Sequence, residues 1–188
     1  MMIGGYWFGT MNLATEKILQ NLKGKKTGVF VDDSNLYHAY RKYGWRVDFG
    51  RFKNFLSQYC LLQFINYYIA IPDKEDAALS DTSKFLDKIK SFIVLRTKPL
   101  KYTTIGDKLL KKADVDVEIV IDVIRMIDQL DVIVILSGDS DFLELKNYVT
   151  RDKNKKILFV GYEENMAWEL RQCWHLYLNR IKQEVALL

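Results

Sequence analysis

Five short apolar runs punctuate the chain: TGVFV from Thr27, FINYYIAI from Phe64, SFIVLR from Ser91, DVIVILS from Asp131 and KKILFV from Lys155. They are rich in β-branched and aromatic residues and mostly continuous rather than alternating, the pattern of strands covered on both faces. Between them the apolar positions switch to helical spacing. In VDFGRFKNFLSQY, Asp48 reads as an N-cap, and Phe49, Phe52, Phe55, Leu56 and Tyr59 follow a helical stripe. DKEDAALSDTSKFLDKIK repeats apolar residues at Phe85, Leu86 and Ile89. VDVEIVIDVIRMIDQL predicts the strongest helix, with Val117, Val120, Ile121, Ile124 and Ile127 along one face. DFLELKNYV and ENMAWELRQCWHLYL predict two more, separated by the fifth strand.

Strands alternating with helices imply βαβ crossovers, and so an α/β fold with a central, mostly parallel, five-stranded sheet and helices on both faces. In such a fold ligands bind beyond the carboxyl ends of the strands, where helices also begin. A residue just after a strand, or in the first turn of the next helix, therefore lies at the expected site.

A length of 188 residues fits one domain. Residues 27–188 are expected to form it, with residues 1–26 as an extension, helical in ATEKILQNLKGKK and packed on the domain. The opening MMIGGYWFGTM is apolar but short and lacks a basic start, so neither a secretory signal nor a membrane span is expected, and the reading is cytoplasmic. Its Tyr6, Trp7 and Phe8 can pack on a second copy of the chain as readily as on their own domain, so a homo-oligomer is open. Cys60 and Cys173 are far apart in apolar contexts and read as buried free thiols.

A net charge of +4 is too mild by itself to establish a nucleic-acid partner. Its distribution adds more. Lys98, Lys101, Lys108, Lys111 and Lys112 crowd one connecting segment, while acids gather in DDSN, DVDVE and GDSD, a division suited to a phosphate-bearing ligand held through metal ions and flanking lysines.

Three acidic groups fall at the expected edge. Asp32 closes the first strand in VFVDDSNLY, with Ser34 or Asn35 available to cap the helix that follows. Asp116 lies in the first turn of the strongest helix, with Asp114 at or just before its cap and Asp122 further along as a structural acid. In LSGDSDFLEL, Asp139 follows the fourth strand directly, while Asp141 and Glu144 have the spacing of a capping box. Capping accounts cheaply for Asp141 but not for Asp139. Carboxylates gathered this closely stay ionised only around positive charge. Mg²⁺ or Mn²⁺ is the expected occupant, because hard cations take oxygen ligands and His38 and His175 are too few and too far apart for zinc.

In this order, VFVDDSNLY, ADVDVEIVID and ILSGDSDF resemble the NYN domain, a branch of the PIN-like metal-dependent nucleases, from about Thr27 to about Ile181. The resemblance implies a Rossmann-like three-layer α/β/α sandwich and metal-dependent ribonuclease chemistry in RNA processing or decay, with DNA as a possible further substrate. It also implies that Asp32, Asp116, Asp139 and Asp141 are the metal-binding catalytic acids, that Asn35 orients the first acidic loop, and that Ser34 and Ser137 support them. Lys98, Lys101, Lys108 and Lys111 are expected to steer the RNA backbone. The chain departs from the family pattern at Asp33, where glycine is usual, at Ala113, where lysine is common, and at His175, near which an aspartate is common.

Two other acidic-site folds are excluded. A haloacid-dehalogenase-type phosphatase needs an aspartate where Ser34 stands, and a response-regulator receiver needs an acceptor aspartate and a lysine where RTKPL and GYEEN stand. The competing reading is a PIN-like module that binds RNA or a protein without cutting. Tyr37, His38, Tyr40, Arg41, Tyr43, Trp45 and Arg46 mix aromatic and basic character in a way that can stack bases.

Overall fold

Each of the five apolar runs becomes a strand, and a sixth joins them. The computed structural model describes residues 12–105 and 108–187. The chain enters through helix α1 (Leu13–Gln20), capped by Asn12, then runs through β1 (Lys26–Asp32), α2 (Asp33–Tyr43), α3 (Phe49–Ser57), β2 (Leu61–Ile71), α4 (Ala78–Ile89) and β3 (Val94–Pro99). A hairpin of β4 (Lys101–Ile105) and β5 (Lys108–Lys112) precedes α5 (Asp116–Met126) and β6 (Val132–Leu136). Short helix α6 (Leu143–Asn147), β7 (Lys156–Gly161), α7 (Trp168–Arg171), β8 (His175–Tyr177) and α8 (Lys182–Val185) complete it.

The central sheet runs β3-β2-β1-β6-β7-β8, every pair parallel. Strand alternation divides its side chains between two cores. Val29, Val31, Val132, Val134 and Leu136 face one, with Phe52, Phe55 and Leu56 of α3 and Leu19 of α1. Phe30, Ile133 and Ile135 face the other, with Ile119 and Val123 of α5 and Leu145 of α6. Burying each such side chain stabilises the fold by roughly 1.5–3 kcal/mol, which is why the runs in β1, β6 and β7 are apolar throughout, whereas β3 at the sheet edge is mostly exposed. The layers are those of an α/β/α sandwich.

Four details differ from expectation. The sheet has six strands rather than five, because ENMAWELRQCWHLYL does not form one helix: its helix ends at Arg171, and His175 to Tyr177 pair with Phe159 to Gly161. The lysine-rich segment is not a loop but the β4–β5 hairpin, in which Lys101 to Ile105 pair antiparallel with Lys108 to Lys112. On α5 the buried positions are Ile119 and Val123, and Val117, Ile121 and Ile124 are exposed. Cys60 is buried, whereas Cys173 is partly exposed. Tyr6, Trp7 and Phe8 lie outside the described residues. Among those described, no helix is long and apolar enough to cross a membrane.

Strand order reverses at β1, whose neighbours β2 and β6 lead the chain away in opposite directions and open a crevice at their carboxyl ends. Gly138, just past β6, lets another segment close over that crevice. Its carbonyl accepts from Ala167 N–H at 2.9 Å, and a Cβ added to it would stand 2.5 Å from the Asn165 carbonyl oxygen. Gly138→Ala must push backbone aside, at a cost of about 1–3 kcal/mol. Thermal unfolding of this variant is expected to fall by several degrees; a midpoint equal to wild type would show that the contact has slack.

Candidate metal centre

The centre is built where β1 and β6 end side by side. Asp32, the last residue of β1, turns out of the sheet as the N-cap of α2 and is only 1% exposed. Its Oδ1 accepts from Asn35 N–H at 3.2 Å and from the Ser34 hydroxyl at 2.9 Å, and its Oδ2 accepts from the Ser137 hydroxyl at 2.9 Å. Ser137 Oγ in turn accepts from Asp139 N–H at 3.2 Å. Asp32 is thus the cap, where Ser34 and Asn35 were the expected candidates. Asn35 instead braces two other loops: its Oδ1 accepts from Gly138 N–H at 3.0 Å and from Asn165 Nδ2 at 3.1 Å.

Around this support the structure gathers Asp116, Asp139 and Asp141, one carboxylate oxygen from each lying within 4.8 Å of the others. Asp116 arrives at the N-terminus of α5, and Asp139 and Asp141 on the turn after β6. Asp139 caps that turn, its Oδ1 accepting from Asp141 N–H at 3.0 Å. The cheap structural job therefore falls to Asp139, and the expected capping box of Asp141 and Glu144 does not form; Glu144 accepts from Asn147 Nδ2 instead. Asp141 is exposed.

The electrostatics follow from this crowding. Asp116 is pushed up to about 7, by burial first, then by the charge of Asp32, its hydrogen bond to Asp114, and the charges of Asp114 and Asp139. Asp114 shifts the other way: although burial opposes it, the backbone N–H and carboxyl of Asp116 and the ammonium of Lys112 hold it down. Asp32 is raised because burial outweighs its three hydrogen bonds. Among the described residues, no lysine or arginine pairs with Asp32, Asp116, Asp139 or Asp141. An all-carboxylate set with excess negative charge and no internal counter-ion fits a hard divalent cation. Asp122 stands apart as a structural acid, accepting from Tyr68 OH at 2.9 Å and lying 3.6 Å from Arg96.

The expected lysines divide. Lys98 Nζ lies 2.7 Å from Glu118, and Lys111 Nζ lies 2.6 Å from Asp76. Lys111 and Tyr102, whose hydroxyl donates to Asp76 at 2.8 Å, clasp the hairpin to the loop after β2. Lys101 is exposed on β4, and Lys108 opens β5.

Sequence reasoning missed a cavity of about 460 Å³ next to the acids, lined by Asp33, Tyr40, Arg46, Tyr67 and Phe85 among others. Tyr67 OH donates to Asp33 Oδ1. Burial raises Asp33 to about 6, against the Tyr67 hydrogen bond, with the charge of Asp32 adding to the rise and that of Arg46 opposing it. Asp33, at the position where the family usually has glycine, was the available signal.

Comparison with known proteins agrees with this architecture. The NYN domain family model matches residues 26–178. The chain is 31% identical over 160 residues to the Low amplitude and bright protein LabA of Synechococcus elongatus, an alignment covering 82% of this chain and 83% of the relative. A crystal structure of a protein of unknown function from Vibrio parahaemolyticus superposes with a TM-score of 0.69 at 23% identity, covering 87% of this chain and 97% of that one. The three motifs in their order, the parallel sheet that assembles them and the family match over most of the length converge: the chain belongs to the NYN domain family, which has a PIN-like nuclease fold.

Proposed function

We propose that this chain is a divalent-metal-dependent ribonuclease that hydrolyses internal phosphodiester bonds of RNA in the cytoplasm, with Mg²⁺ or Mn²⁺ held by Asp116, Asp139 and Asp141. The observation behind this reading is the meeting of those carboxylates within 4.8 Å without a described cationic partner. A pure binding surface gains nothing from acids that repel one another and the phosphates they would meet. A bound ion of this kind supplies charge that offsets the negative charge developing on the phosphoryl oxygens and makes water a better nucleophile.

The residues of the chain then have separable roles. Asp116, Asp139 and Asp141 orient their oxygens toward a common point, and Asp32, held by Ser34, Ser137 and Asn35 N–H, keeps negative charge beside that point while its own oxygens are committed. Without the ion Asp116 is raised to about 7, and a cation bound there would favour its charged form. Hydrolysis forms a bond from the water oxygen to phosphorus and breaks the bond to the leaving ribose oxygen, which takes up a proton. Lys101, exposed on β4, remains available to steer the RNA backbone, while Lys98 and Lys111 are engaged by Glu118 and Asp76. The second reading, RNA binding without cleavage, is favoured by one observation: Asp32 and Asp139 both make hydrogen bonds that a structural role alone would explain.

Labelled single-stranded RNA incubated with Mn²⁺ and purified protein separates these readings. Wild type is expected to cut, and Asp139→Asn to lose about 100-fold or more of the rate. Equal cleavage by both proteins would expose a contaminant, and no cleavage by either would favour the binding module.

The raised Asp116 gives a second test that needs no activity. Its folded value of about 7 lies above the ordinary 3.8, so the folded state retains a proton that the unfolded chain gives up. Stability therefore falls as pH rises from about 4 to about 7, and the full cost is present above that window. In EDTA at pH 8, Asp116→Asn is expected to be more stable than wild type by about 1–2 kcal/mol after allowance for partial exposure, or roughly 2–8 °C in thermal midpoint. At pH 4 the difference should largely vanish. Mn²⁺ should raise the wild-type midpoint more than that of the variant; an equal metal response would remove Asp116 from the ion site.

A further inference from the structure

We infer that the cavity beside the acids receives one unpaired guanine base of the RNA, read by Arg46 and Asp33. This rests on the ribonuclease reading and gives it a substrate preference.

Arg46 supplies the first observation. It is half-buried and lines the cavity, its guanidinium carbon 3.7 Å from the centroid of the Tyr40 ring and 5.7 Å from that of Phe85. Yet its side chain makes no hydrogen bond or ion pair to any described residue. A guanidinium carries five N–H donors, and with no acceptor from the described residues those of Arg46 are left to water or to a ligand. The Tyr40 ring lies against the group and limits where it can move.

Asp33 supplies the second. Its Oδ1 accepts from Tyr67 OH, while its Oδ2 makes no hydrogen bond to a described residue. Arg46 and Asp33 line the same cavity and feel each other's charge, but they do not approach within 4.0 Å to form an ion pair. A donor fork and a free acceptor are thus held apart across an opening.

Guanine fits that arrangement. It places two acceptors, N7 and O6, beside two donors, N1–H and N2–H, along one continuous edge. An arginine fork takes the acceptors bidentately, and a carboxylate takes the donors. Adenine presents a donor where guanine has O6, and the pyrimidines lack N7. Phe85, which lines the cavity, supplies a ring against which a base can pack. The volume of about 460 Å³ lies in the range of small-ligand sites and leaves room for the attached ribose.

Location connects the cavity to the acids. Ser34 lines it while donating to Asp32, and Ala113 lines it three residues before Asp116. A nucleotide seated there has its phosphate directed toward the carboxylates. The base must be splayed from any helix to enter, so the substrate is single-stranded.

The test has two arms. In EDTA at pH 7.5, calorimetric titration with 5′-GMP, AMP, CMP and UMP reads the pocket without cleavage. GMP is expected to bind at least about 10-fold tighter than the others, the scale of a good bidentate contact. Arg46→Ala should abolish the preference. Arg46→Lys, which keeps the charge but not the fork, should abolish it too while melting like wild type. Asp139→Asn should keep the preference for GMP over the other three nucleotides, since all four carry the same phosphate. In Mn²⁺, single-stranded oligonucleotides with one guanosine should be cut next to it, and more slowly when inosine replaces it. Equal affinity for the four nucleotides, no binding of any, or a preference that survives Arg46→Lys overturns the inference. GMP preference without guanosine-directed cutting would assign the cavity to a free nucleotide and overturn its role in RNA selection. RNA cut without base preference leaves the ribonuclease reading standing, whereas guanine-selective binding by a protein that cuts nothing removes only that reading.

Discussion

The hydrogen bond from Ser137 to Asp32 joins the ends of β1 and β6, and the rest of the centre is hung on it. A buried carboxylate is tolerated only when its lone pairs are satisfied. Asp32 achieves this locally with Ser34 and Asn35 N–H, and over a sequence separation of 105 residues with Ser137. Parallel pairing aligns the two strands, Val31 beside Leu136, so that their next residues meet at the same height. The same serine oxygen accepts from Asp139 N–H, and Asn35 holds Gly138 N–H. The turn that presents Asp139 and Asp141 is therefore tied to the first strand from two sides.

That rigidity holds together groups that would otherwise separate. Asp116 is raised to about 7 by burial and by neighbours of its own sign, so the folded protein stores repulsion at the carboxyl edge of its sheet. Removing the repulsion by substitution or by a cation acts on the same free energy. Removing the frame would instead let the acids drift apart into water. The acids accordingly differ in how they are held: Asp32 accepts hydrogen bonds on both oxygens, whereas Asp141 is exposed and its carboxylate accepts none from the described residues.

Much of this was legible in the chain. Continuous apolar runs such as DVIVILS announce strands buried on both faces, and the acids placed after strands and at a helix start do meet at one edge, because strand ends and helix starts share it. The Asp48 cap and the Phe52, Phe55 and Leu56 stripe of α3 could be read residue by residue. Where reading failed, a tertiary partner decided the outcome. Val117, Ile121 and Ile124 look like a core face, but the sheet takes Ile119 and Val123. Apolar residues on both sides of a helix leave its rotation undetermined until a sheet selects one. His175 to Tyr177 form a strand because the edge of β7 offers unpaired backbone groups, which no local propensity records. The pairing of Lys111 with Asp76 depends on a hairpin in which Tyr102 lies opposite Lys111, a pairing that a pattern dominated by lysines conceals.

The two halves of the site lie on opposite faces of one sheet. Asp116 comes from α5, which packs with Phe30 and Ile133 on one side, while Tyr67, Phe49 and Phe85 line the cavity on the other. Among the described residues, both are reached by the first turn of α2, where Asp32 and Asp33 are consecutive, and by the segment from Ala113 to Asp116. Consecutive residues at a strand end point to opposite sides, so the DD pair places one carboxylate by the acids and the next by the cavity. A substitution at Asp33, Arg46 or Phe85 can alter what enters the cavity without moving the acids around Asp139, because the intervening sheet is close-packed and its register is fixed by β1 pairing on both sides. The acids and the cavity are thereby mechanically separate while Asp32 and Asp33 remain neighbours in the chain.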